Sequence, residues 1–211
     1  MIFLYFCNSF IHFTPAQSTL NRISANVGTP DQIINATHGG YMALHLMRHI
    51  KESTPIGLLK FLINCWPPLL GAGIKIKSLA PDYRDVVVNL SLHWFNKNYV
   101  GTHFGGSIFA MTDPFYMLML IKNLGDDYIV WDKAASVDFK KPGIGVLTAH
   151  FTLAEEIVQR VRDKTSTGEK YIFDLPIDIY NEENIVVASV IRTLYVRRKD
   201  AFTKQTIESK T

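Results

Sequence analysis

Cysteine is nearly absent: Cys7 and Cys65 are the only two in 211 residues. Neither sits in a paired motif, so a disulfide framework is excluded and a reducing, cytoplasmic location is expected. Long hydrophobic runs are missing as well. Leu58 to Trp66 is apolar but too short to cross a bilayer. Met1 to Phe13 lacks the basic lead of a signal peptide, and Asn8, Ser9 and His12 interrupt it. No membrane association is expected. Excess charge of one sign is lacking too. The formal net charge is +3, which gives no reason to expect nucleic acid as a partner, and the basic groups Lys140-Lys141, Arg160 with Arg162, and Arg197-Arg198-Lys199 read as solvated faces. His45 and His49 have metal-like spacing without a third ligand. No metal and no cofactor are expected, and no tandem repeat is present.

Hydrophobic residues make up 47% of the chain, enough for one core. Residues 1–41 read as a dispensable N-terminal extension, 42–200 as the domain and 201–211 as a polar tail. Within the domain, Ala43 to Lys51 and Leu58 to Trp66 read as helices, with Cys65 as a small core residue. Gly71 to Leu79 and Arg84 to Trp94 form a hairpin across Ala80-Pro81-Asp82-Tyr83. Ser107 to Leu124 is apolar on all sides, as a buried helix is. Four further strands are expected: Tyr128 to Phe139, with Ile129, Trp131, Ala135, Val137 and Phe139 alternating, Val146 to Ala154, Tyr171 to Tyr180 and Ile185 to Arg197. An amphipathic helix, Glu155 to Lys164, divides them. This order predicts an α+β domain in which an antiparallel sheet wraps one central helix.

The segment from Asn98 to Pro114 carries the candidate chemistry. Gly105 and Gly106 lie at a helix start, where backbone N–H groups are unpaired and sterically open to an oxyanion. Asp113, seven residues after Gly106, is a lone acid in an apolar stretch. On one straight helix the two would stand about 10 Å apart along the axis. A second copy packed antiparallel would bring Asp113 of one subunit to the glycine turn of the other, so the spacing asks for a homodimer. A competing reading makes Asp113 the N-cap of a helix whose first residue is Pro114; Pro114 should in any case kink or restart the helix. Thr37-His38-Gly39-Gly40 looks similar, but Met47 stands where the acid should be.

Strand order, central helix and glycine turn resemble a hotdog-fold thioesterase. Gly105-Gly106 with Asp113 seven residues on resembles the phenylacetyl-CoA-type (PaaI-like) group, and Phe139-Lys140-Lys141-Pro142-Gly143 resembles the superfamily's turn after the third strand. The closer resemblance is to a bacterial hotdog group of unknown function often labelled tetrameric acyl-CoA thioesterases, and it covers roughly residues 55 to 198. It implies an acyl-CoA or acyl-carrier thioester substrate and a dimer or tetramer. It also implies Asp113 as base or nucleophile and a Gly105-Gly106 amide polarising the carbonyl. The chain departs from the pattern at Phe104, which occupies the position of the family's histidine and leaves His103 one place early. Asn98, Thr102 and His103 are candidates for positioning substrate, and Lys140 and Lys141 for contacting coenzyme A phosphates. Two other classes fit the same resemblance: a non-catalytic acyl-binding protein, and a dehydratase that would use His103.

Overall fold

The computed structural model describes residues 55–199. The expectations for residues 1–41, Ala43 to Lys51, His45, His49 and the 201–211 tail lie outside them.

Helix α1 (Ile56–Asn64) buries Leu59 and Ile63, four residues apart on one face. Cys65 caps its C-terminus and is exposed, contrary to the core position expected, because it lies past that inward face. Pro67 then restarts the chain as α2 (Pro67–Ala72), with proline at the first helical position. This helix takes Gly71 and Ala72 from the strand expected there, so β1 is Ile74–Leu79. Gly73 ends α2 at φ 81°. A Cβ there would come within 2.5 Å of Asn96 Nδ2 and 2.8 Å of the Ser91 carbonyl oxygen, so only glycine fits.

Strand β2 (Asp85–Ser91) buries Val86, Val88 and Leu90 on alternate positions. It stops three residues before the expected end, because the backbone turns at His93 to Asn96: the Asn96 side chain accepts from the His93 N–H (2.6 Å) and donates to the Ala72 and Ser91 carbonyls (2.8 Å each). Trp94 is left exposed.

The expected central helix is two helices, α3 (Gly105–Ala110) and α4 (Phe115–Leu124), separated by Met111 to Pro114. The break comes where Pro114 removes a donor. Thr112, fully buried, closes the break by donating its hydroxyl to the Phe109 carbonyl (2.8 Å). Strands β3 (Tyr128–Phe139) and β4 (Val146–Thr152), helix α5 (Glu155–Thr165), and strands β5 (Tyr171–Tyr180) and β6 (Val186–Arg198) follow.

All six strands form one antiparallel sheet in the order β1-β2-β4-β5-β6-β3. β4 and β5 pair only at Thr148–Tyr180 and Ala149–Ile179, so the sheet opens before Ile179. The Tyr116 side chain of α4 spans the opening. Tyr116 donates its hydroxyl to the carbonyl of Pro176 (2.9 Å), a residue of β5 that has no β4 partner. Its ring packs edge-on against Phe151, which also touches Phe115. The core lies between this sheet face and the helices, with Met111, Phe115, Met119, Leu120, Leu147, Phe151 and Ile179 fully buried.

Among the described residues, strand β3 lies at the far edge and pairs only with β6. The expected alternation holds at Ala135 and Val137 but not at Ile129 and Trp131, because the register shifts between Asp132 and Ala134 and reverses which parity faces inward. Val130 is the buried residue, and Trp131 is half exposed.

Candidate active site

The glycine turn is held from below by the preceding loop. Asn98 donates its side-chain amide to Thr102 Oγ1 (2.7 Å) and to the His103 carbonyl (3.1 Å), and its Oδ1 accepts from the N–H groups of Val100 and Thr102. These are bonds of an Asx-type turn, and they engage both side chains of the Asn98–Thr102 pair within the loop. His103 is buried. Its N–H donates to the Gly143 carbonyl (2.9 Å), and its Nε2 lies 3.0 Å from the Gly145 carbonyl oxygen, a contact that assigns the proton to Nε2. Burial pushes its pKa below the ordinary histidine value, outweighing the Gly145 bond that acts upward. His103 thus joins the loop to the 140–145 turn. Lys140 and Lys141 are exposed on that turn, and Lys140 pairs with Asp138 (2.9 Å).

Phe104 sits at the N-cap position of α3 without making a side-chain cap. The first amides with acceptors are those of Ser107 and Ile108, both bonded to the Phe104 carbonyl. Among the described residues the N–H groups of Gly105 and Gly106 have no acceptor, as the first turn of a helix requires. Two rings wall the turn. A Cβ on Gly106 would fall 2.4 Å from Phe104 Cε1, and one on Gly105 would fall 3.2 Å from Phe139 Cζ.

Asp113 lies in the break between α3 and α4. Its side chain is 58% exposed despite the apolar residues around it in sequence. It is not a helix cap: α4 starts after Pro114 with no side-chain cap bond. Instead its Oδ1 accepts from Nη2 of Arg192. Arg192, on β6, is 2% exposed and packs under the Phe109 ring, 5.1 Å from its centroid. Its Nε (2.9 Å) and Nη2 both donate to Oδ2 of Asp132 on β3. Burial pushes the Asp132 carboxyl above the usual range, with the Arg192 bond and charge opposing and the Asp113 charge adding to the rise.

The loop from Asn98 to His103 and the glycine turn thus form one unit with the 140–145 turn, while Asp113 is joined to the sheet through Arg192. The sequence reading overlooked Arg192 and Asp132. Arg192 nevertheless leaves a trace in β6, where Ala188, Val190, Leu194 and Val196 mark the inward register and the arginine occupies a position in it. Asp132 leaves none, because the register shift beside it hides which way it points.

The fold has close counterparts among solved structures. PA5026 of Pseudomonas aeruginosa, a protein of unknown function described as a probable thioesterase, aligns at a TM-score of 0.62 and 17% identity over 68% of this chain and 96% of its own. The thioesterase HI1161 of Haemophilus influenzae aligns at 0.52 and 18% identity, over 68% of this chain and 91% of its own. A protein of unknown function from Chlorobaculum tepidum aligns at 0.56 and 17% identity, over 68% and 94%. The architecture is the hotdog fold. No curated protein matches the sequence. The family model described as a domain of unknown function, DUF4442, matches residues 57–196, and the chain belongs to that family.

Proposed function

We propose that this protein hydrolyses acyl-CoA thioesters at a site shared between two copies of the chain. One observation carries the reading: in a hotdog fold, a helix start with two unpaired glycine amides is followed by a solvent-accessible carboxylate, Asp113, anchored to the sheet. The thioester carbonyl would accept from the Gly105 or Gly106 N–H, each such donor being worth about 3 kcal/mol in the transition state. Asp113 of the other copy would activate water, or attack the carbonyl and expel the thiolate to give an anhydride that water then hydrolyses to the acid and free Asp113. In the water route Asp113 takes one proton, the tetrahedral intermediate expels the thiolate, and that proton returns to the sulfur. Phe104, Phe109 and Phe139, all exposed beside the turn, supply apolar surface for the acyl group. Lys140 and Lys141 remain the candidates for the coenzyme A phosphates, and Asn98, Thr102 and His103 act on substrate through the loop they hold together.

A non-catalytic acyl-binding role is the second reading, favoured by the Phe104 ring lying against Gly106 in the place of an expected histidine. A panel running from acetyl- to palmitoyl-CoA, with benzoyl- and phenylacetyl-CoA, separates the two when thiol release is followed with an aromatic disulfide reagent. Release of thiol supports hydrolysis. Tight binding of the corresponding thioether analogues with no thiol released from any thioester supports the binding role.

A further inference from the structure

We propose that Arg192 and Asp132 are positioning residues for Asp113: the buried guanidinium, clamped by Asp132 on the neighbouring strand, holds the exposed Asp113 carboxylate in one orientation. The proposal rests on the reading of Asp113 as base or nucleophile. A buried arginine needs a counter-charge, and Asp132, 11% exposed, already accepts from both Nε and Nη2. Asp113 is therefore a second carboxylate on an arginine that Asp132 neutralises by itself. The asymmetry in burial points the same way: Arg192 is 3% exposed at the side chain and Asp113 58%. The ion pair fixes the exposed partner more than it rescues the buried one.

Geometry supplies the rest. Arg192 projects from β6, which is flanked by β5 and β3 along its length. Its guanidinium is held by Asp132 on one side and covered by the Phe109 ring. Asp113 has no such support of its own, because it stands in the break between two helices rather than inside one. Only Oδ1 is engaged by Arg192, so among the described residues Oδ2 makes no hydrogen bond and is available to water or the thioester carbon. Holding a reacting carboxylate in this way lowers the entropy lost in reaching the transition state without adding contacts to the ground state. Its loss should therefore appear in kcat rather than KM.

The test uses the full chain and the best thioester from the panel above. Asp132→Asn keeps the size of the clamp and removes its charge; Arg192→Lys keeps the charge and removes the fork that reaches two carboxylates. Each should lower kcat by about tenfold or more with KM within about threefold. Combined with Asp113→Asn, Asp132→Asn should add almost nothing, because a positioning residue has no effect once the group it positions is gone. Oligomeric state and melting temperature are measured alongside, and Asp132→Asn carries the test if the arginine variant does not fold. Wild-type kcat in a folded Asp132→Asn protein, or full additivity with Asp113→Asn, overturns the positioning role while an inactive Asp113→Asn protein leaves the catalytic reading intact. An active Asp113→Asn protein overturns both.

Discussion

At the scale of single residues, the structure replaces one account of Asp113 with another. A helix cap would tolerate asparagine; a carboxylate bonded to Arg192 loses its charge when amidated but keeps an oxygen that can accept the same hydrogen bond. Asp113→Asn is thus a clean probe: turnover should fall by about two orders of magnitude or more, with a melting temperature close to wild type. Near-normal turnover in a folded protein would remove Asp113 from the chemistry. His103 gives a second residue-scale test. Its pKa in the folded chain lies below the unfolded value of about 6.5 because burial disfavours the imidazolium. The unfolded chain then binds the proton first. Stability is complete above the unfolded value and declines as pH falls from there towards the lowered folded value. A series of melting curves from about pH 7.5 to about pH 5.5 should show a steeper decline for the wild type than for His103→Gln, and parallel curves would mean that the buried ring titrates normally.

At the scale of elements, the opening between β4 and β5 is the feature that shapes the fold. A proline in a strand flanked on both sides would leave a gap in a ladder. Pro176 avoids this because β4 does not reach it, and α4 supplies Tyr116 as the missing partner for its carbonyl. Burial raises the tyrosine pKa to about 12, so the hydroxyl remains a donor across the ordinary pH range. Tyr116→Phe removes the donor and leaves a carbonyl without one, a loss of about 1–3 kcal/mol that urea denaturation should register as a lower midpoint at unchanged slope. An unchanged midpoint would mean that solvent satisfies Pro176.

At the scale of the molecule, a shared site requires a second copy. Among the described residues strand β3 is a twelve-residue edge with Trp131 half exposed, and long edges invite pairing. Light scattering at micromolar concentration should return a dimer or a tetramer. Complementation tests the shared site more directly. Gly106→Val crowds the glycine turn against Phe104, and Asp113→Asn removes the acid, so each variant alone should be inactive. Mixed subunits should recover about a quarter of wild-type activity, since about half the dimers would be mixed and each would hold one intact site. No recovery from a mixture that exchanges subunits would place both groups in one chain.

Alternation and turn chemistry were enough to give β5 its ends, to bound β3, and to put a helix between β4 and β5, because these elements are specified by contacts among near neighbours in sequence. The proline at 114 likewise announced the break in the central helix. Local pattern could not settle what depends on pairing across the sheet. The parity of β3 is reversed by a shift in register with β6, and β1 loses its first residues to a helix started by Pro67. The partner of Asp113 lies 79 residues away. An arginine at an inward register position can be noticed in a sequence, but which carboxylates it meets is decided only when β3, β6 and the helix break are folded together, since the cost of burying its charge is met by groups that are distant along the chain.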